Sequence, residues 1–158
     1  MIEALGLPPN VTFVPTDFNH EALERVLADT PFDSSKRAVF IWEGVTQYIT
    51  EEAVRKSLAF VGKSAPGSRV AFTYVLKAVI DGDSHLPGAD RMMAEVGRQG
   101  SPWIFGLDPR SIGQYLEPFH LALKADVGGA DYQALYLVPM NRKLDVPSAN
   151  ESRRRFVR

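Results

Sequence analysis

The chain has no cysteine, which excludes disulfides, zinc-thiolate sites and a cysteine nucleophile. Its three histidines, His20, His85 and His120, are scattered. His20-Glu21 lacks the second histidine four residues after the first, so no metal site is expected. No apolar run is long enough to span a bilayer. The start carries Glu3 and no basic stretch ahead of an apolar segment, so it does not read as a secretory signal. A cytoplasmic location is expected. Neither sign of charge dominates: 18 Lys and Arg stand against 19 Asp and Glu, for a net charge of -1. Bulk charge therefore points to neither a nucleic-acid nor a membrane-surface partner. Gly-x-Gly-x-x-Gly and Gly-x-Ser-x-Gly are both missing, so there is no complete dinucleotide fingerprint and no nucleophile elbow. Gly62-Lys63-Ser64 resembles the end of a phosphate-binding loop. Ser57 stands where the earlier glycine is required, and the tripeptide ends a helix instead of starting one, which excludes that reading.

What is present suits a packed domain: 158 residues, 45% hydrophobic and 23% charged. The chain is organised around Arg37 to Thr50. Ala38 to Trp42 is an unbroken apolar run, as expected of a strand buried on both faces of a helix-covered parallel sheet. It meets Glu43 and Gly44. A carboxylate there needs water, a partner or a ligand, and the crevice at the carboxyl ends of the strands is where open α/β sheets bind ligands. Thr50, Glu51 and Glu52 start a helix with a cap oxygen and two anions at its positive end.

Met1 to Leu7 reads as the end of a helix, closed by Gly6 with Pro8 and Pro9 beyond. Val11 to Pro15 reads as a short strand with Asp17 and Phe18 at its carboxyl end, and Asn19 as the cap of a helix over His20 to Ala28. The helix from Glu51 to about Ser64 carries the stripe Val54, Leu58, Val61, and Arg69 to Leu76 is the next strand. This β-α-β-α-β order predicts an α/β fold with a parallel sheet. Residues 77–107 are long, irregular and aromatic-bearing, which marks a lid or binding loop. Within them Asp90 to Arg98 reads as a short helix. Asp108 and Pro109 open a further helix to about Leu116. Leu121 to Val127 reads as a strand, Asp131 to Val138 as a short helix, and 148–158 as a solvated basic tail or a final strand.

Each candidate site residue has two readings. Asp17 and Glu43 ending neighbouring strands would open two carboxylates on one crevice, able to accept hydrogen bonds from a ribose, an amino group or an adenine amine. Alternatively, Asp17 caps a turn and Glu43 binds backbone. Phe18 lines a slot for a flat ring or staples the helix on Leu23; the residue pattern favours the staple. Tyr48 offers a hydroxyl near the crevice or is a half-buried aromatic under the lid.

Val14-Pro-Thr-Asp-Phe18, the block Phe40-Ile-Trp-Glu-Gly-Val-Thr-Gln-Tyr-Ile-Thr-Glu-Glu-Ala-Val54, Pro66-Gly-Ser, Ser101-Pro-Trp and Phe105-Gly-Leu occur in that order. Together they resemble the leucine carboxyl methyltransferase-like family of S-adenosylmethionine-dependent methyltransferases, in its actinobacterial O-methyltransferase branch. The resemblance covers about Pro9 to Leu144. It implies a class I methyltransferase, Rossmann-like, mostly parallel sheet and S-adenosyl-L-methionine as cofactor. Asp17 and Phe18 would meet the adenine, and Glu43 with Gly44 would hold the methionine end. Tyr48, Trp103 and Phe105 would border a pocket for a small-molecule methyl acceptor, a carboxylate or hydroxyl, selected by the lid. The family's glycine-rich cofactor loop and ribose-holding acid lie upstream of the matched segment. The resemblance is thus to the carboxyl-terminal half, residues 1–147 forming a partial domain without the N-terminal cofactor-loop strands. Such a half-sheet would expose an apolar edge open to self-association. The alternatives are a non-catalytic remnant or interaction module, and a hydrolase using Glu43 as base.

Overall fold

The computed structural model describes residues 8–83, 88–142 and 153–157. The helix end expected over Met1 to Leu7 and the boundary expected at 147 lie outside the described residues. Four strands form one mixed sheet, β1 (Val39–Trp42), β2 (Arg69–Tyr74), β3 (Leu123–Val127) and β4 (Arg153–Val157), in the order β1-β2-β4-β3. β1 and β2 pair in parallel, Val39 with Arg69 through Trp42 with Phe72. β4 runs antiparallel to both of its neighbours. Three strands therefore point one way and the last strand is reversed between two of them.

Helix α1 (Leu23–Ala28) and helix α2 (Glu51–Gly62) flank β1 in sequence. α2 forms where the cap and stripe predict it. The Thr50 hydroxyl accepts from the Ala53 N–H at 3.2 Å, Glu51 and Glu52 fill the first turn, and Val54, Leu58 and Val61 are buried. Those residues meet Val70, Phe72 and Tyr74 of β2 in the main core, with Phe40 and Trp42 of β1 packed against it. Phe32, Phe40 and Phe60 form a ring cluster with centroid separations of 5.9 to 6.1 Å. Helix α5 (Ile112–Leu116) and the tight turn Glu117–Phe119 close the same core from the other end.

Two expectations are corrected. Val11 to Pro15 is not a strand; no described residue pairs with it. Val11 turns back to Pro8 instead, its N–H donating to that carbonyl at 3.0 Å. Pro15 has no N–H to give a ladder, and Val11 and Phe13 are left exposed. β1 is also not buried on both faces. Phe40 and Trp42 point into the core, while Val39 and Ile41 are 72% and 77% exposed. β1 is the end strand of the described sheet, and no described element lies over that face.

Residues 77–107 form a closed excursion. Leu76 and Leu107 bridge in parallel, the Lys77 N–H donates to the Leu107 carbonyl and the Leu107 N–H to the Val75 carbonyl, both at 2.9 Å. Between them lie α3 (Lys77–Ile80) and α4 (Ala89–Arg98). Val75, Val79 and Ala89 form a small second core with Met92, Met93 and Trp103 packed on it. Beyond β3, α6 (Gly129–Tyr132) continues as a wider π-type turn to Leu137. No described helix is long and apolar enough to cross a membrane.

Candidate functional site

The site is built where β1 ends. Gly44 has φ +70°, with open space where a Cβ would stand, so the chain turns sharply after Glu43 in a conformation that favours glycine. A threonine on the neighbouring strand holds this turn. The Thr73 hydroxyl accepts from the Gly44 N–H at 2.7 Å, and the Thr46 hydroxyl donates to the Thr73 carbonyl, also at 2.7 Å. Thr46 and Thr73 are both buried. Two adjacent strand ends are thereby locked together, and the Glu43 side chain is left exposed at the rim.

Asp17 reaches the same neighbourhood by another route. No strand carries it; it opens a turn. The Asn19 N–H donates to its Oδ1 at 2.9 Å, His20 Nδ1 lies 2.8 Å from its Oδ2, and its own N–H donates to Glu21 Oε2 at 2.8 Å. The His20 ring, then the Asn19 N–H, hold the Asp17 carboxyl below the usual carboxylate range. Asp17 is exposed and ionised at neutral pH. The turn is pinned at two points. The Asn19 side-chain oxygen accepts from the Thr50 N–H at 3.0 Å, so Asn19 supports the start of α2 and not of its own helix. The Phe18 ring lies 6.0 Å from that of Trp42. Phe18 follows Asp17 and Trp42 precedes Glu43 in the chain, so the ring contact joins the two segments that carry the acids. Asp17 therefore caps a turn, and the Phe18–Trp42 contact sets that turn beside the end of β1.

The three residues expected around an acceptor pocket fall on different surfaces. Tyr48 is exposed and meets Trp103 edge-on at 6.5 Å. Trp103 packs on the lid's small core and buries its indole N–H without a partner among the described residues. Phe105 belongs to the main core beside Tyr115. Ile104 divides two concavities. One is an open groove of about 630 Å³ lined by Tyr48, Ser101, Pro102 and Ile104. The other, about 280 Å³, is lined by Ile104, Phe105, Glu51, Lys77, Asp81, Ser111 and Tyr115. The Ile104 N–H donates to the Gln47 carbonyl at 2.8 Å, which clamps the lid's return limb onto the loop after β1.

Tyr115 buries its hydroxyl with the Arg55 guanidinium nearby and no partner of good hydrogen-bond geometry among the described residues. Burial, then the nearby Glu51 charge, push its pKa up to about 12. The Arg55 guanidinium stands over the ring face, 5.6 Å from the centroid, and 5.1 Å from that of Phe119. An unpaired buried hydroxyl costs desolvation with nothing in return. Tyr115→Phe is therefore expected to leave stability unchanged or raise it by up to about 1 kcal/mol, read from the urea midpoint. A loss larger than that would show that the hydroxyl has a partner.

Among the described residues no group of three or more His, Asp or Glu stands close enough to hold a metal ion. The sequence reading gave Thr46 and Thr73 no role and gave Asn19 the wrong one, as the cap of its own helix. Thr46 stands within the Phe40–Val54 block, but the contacts that give these residues a role span 27 to 31 positions.

The family model for leucine carboxyl methyltransferase matches residues 2–62. That segment holds Asp17, Phe18, Glu43, Gly44, Tyr48 and all of α2. No curated protein matches the chain.

Proposed function

We propose that the chain carries the adenine- and acceptor-side part of an S-adenosylmethionine-dependent O-methyltransferase acting on a small-molecule carboxylate or hydroxyl. The observation that carries this reading is the Phe18–Trp42 ring contact, which brings the turn opened by Asp17 against the end of β1, the parallel strand that Glu43 follows. It is supported by the family-model match over the segment that holds all four residues.

The residues fit the cofactor's chemistry. Adenine needs a flat apolar neighbour and a hydrogen-bond acceptor, which Phe18 and Asp17 provide. The methionine end carries an ammonium group, which suits Glu43. Gly44, with no side chain, lets a ligand approach the backbone closely. When bound, the cofactor supplies an electrophilic methyl group on a sulfonium sulfur. The chain's own task is to hold the acceptor oxygen in line and to keep water out. The lid's clamp between Ile104 and Gln47 holds one wall of both concavities, either of which takes a small acceptor. An acceptor that is already a carboxylate needs no general base.

Calorimetric titration of the chain with S-adenosylmethionine tests this reading. Micromolar binding is expected, weakened by about tenfold or more in Asp17→Ala and in Glu43→Ala, a tenfold change being about 1.4 kcal/mol. Binding that is absent at millimolar cofactor, or indifferent to both substitutions, would leave the interaction-module reading in its place. The bare Val39 and Ile41 face favours that second reading.

A further inference from the structure

The cap of α2 lacks half of its usual arrangement. A capping threonine accepts from the backbone N–H three positions on, and a Glu or Gln at that third position reaches back to the cap's own N–H. Here the Thr50 hydroxyl accepts from the Ala53 N–H at 3.2 Å. Ala53 has no polar side chain to reach back with, so the second half of the exchange has no local donor-acceptor pair. The Asn19 side-chain oxygen accepts from the Thr50 N–H instead, at 3.0 Å and from 31 positions away. Asn19 is exposed, so packing does not account for its place. Nor does its own helix use it: α1 begins at Leu23 with Ala22 at the cap position and no side-chain cap.

Asn19 holds Asp17 as well as Thr50. Its backbone N–H donates to Asp17 Oδ1 at 2.9 Å. One residue thus joins the Asp17 carboxyl to the start of α2. Thr50 also ends the loop that Glu43 and Gly44 begin, and the far end of that loop is fixed by the Gly44 N–H on the Thr73 hydroxyl at 2.7 Å. The Phe18–Trp42 contact, with centroids 6.0 Å apart and planes tilted by 32°, brings the two segments together. A ring contact is loose in direction, since aromatic pairs tolerate a range of offsets. A hydrogen bond is not, because it weakens steeply away from its axis.

We propose that Asn19 is a positioning residue for the cofactor site: by completing the cap of α2 with its side chain, it sets the Asp17 carboxyl at a fixed place relative to the loop that carries Glu43. The tie itself is independent of the methyltransferase reading; its purpose, the placing of an acceptor for adenine, rests on that reading. Asn19 touches no ligand in this role and acts through Asp17. A residue that served only the helix would lower stability when removed and leave cofactor affinity where it was.

Two measurements on the whole chain test it, with circular dichroism to confirm that each variant folds. The first uses no cofactor. Hydrogen exchange of the Thr50 amide should speed up by up to about tenfold in Asn19→Ala. It should stay near the parent rate in Asn19→Asp, which keeps an accepting oxygen. The second is calorimetric titration with S-adenosylmethionine. Asn19→Ala should weaken binding by about three- to tenfold, the worth of one hydrogen bond, and Asn19→Asp should keep most of the parent's affinity. Asn19→Ala placed on Asp17→Ala should cost nothing further, since the two act as one unit. Exchange that is indifferent to Asn19→Ala overturns the tie, whatever the cofactor does. Faster exchange in Asn19→Ala beside a parent chain that does not bind the cofactor overturns the methyltransferase reading, and this role with it. Affinity unchanged in Asn19→Ala despite faster exchange makes Asn19 a helix cap and nothing more. Affinity that does not return in Asn19→Asp, or that falls as far again on top of Asp17→Ala, also overturns the proposal.

Discussion

Gly62→Ala is expected to destabilise the fold by about 3 kcal/mol, at the upper end of what overpacking a well-filled site costs. Helix propensity argues the other way, since alanine in a helix gains up to about 1 kcal/mol over glycine. Geometry decides. A Cβ on Gly62 would stand 1.9 Å from the Phe119 carbonyl oxygen, an atom of the backbone. The end of α2 and the turn Glu117–Phe119 would have to separate by more than a side-chain adjustment allows. That junction joins the helix that follows the site loop to the element that closes the core. Gly113 in α5 is the control: its Cβ would meet nothing within 4 Å. Gly113→Ala is expected to be neutral or slightly stabilising. Urea unfolding of both variants checks the pair, and equal midpoints would show that the Gly62 contact relaxes freely. A loss of this size is a large share of the 5–15 kcal/mol on which a domain of ordinary stability depends.

Thr73→Val is expected to cost about 1–3 kcal/mol and to loosen the loop that carries Glu43. Valine keeps the volume and the β-branch, so packing alone predicts little change. The substitution instead removes the acceptor of the Gly44 N–H, 2.7 Å away, and leaves that donor unpaired at the end of β1. Thr73→Ser keeps the oxygen and should recover most of the loss. On the cofactor reading the same pair of variants has a second readout: affinity for S-adenosylmethionine should fall by about tenfold in the valine variant and stay near the parent in the serine one. If valine lowers stability with no change in affinity, Thr73 is purely structural and the loop's position does not matter to binding.

The elements legible in the sequence are those whose signals are local. α2 carries its own cap, first-turn anions and three-four stripe, so its start at Glu51 and its buried face follow from consecutive residues. β1 and β2 are apolar runs between turn residues and form within two residues of where those runs predict. What was not legible depends on partners far along the chain. Val11 to Pro15 has the composition of a strand, but a strand exists only when an edge pairs with it, and composition does not supply an edge. Asn19 was expected to cap the helix beside it; its oxygen instead reaches Thr50, 31 positions away. The apolar run in β1 was read as double-sided burial, which holds only where both faces have cover. The strand expected to carry Asp17 to the end of β1 is replaced by a ring contact between Phe18 and Trp42, which spacing along the chain does not announce.

The lid departs from and returns to nearly one point, Leu76 beside Leu107, and has a small apolar centre of its own. Its ends are therefore fixed whatever lies between them. Closing a loop that is already closed depends only weakly on its length, each doubling adding about 0.6 kcal/mol. Apart from the return limb, where Phe105 enters the main core and Ile104 clamps to Gln47, variation between those two leucines is thus only weakly coupled to the stability of the sheet beneath. The same foundation tolerates many different caps without the fold having to be solved again.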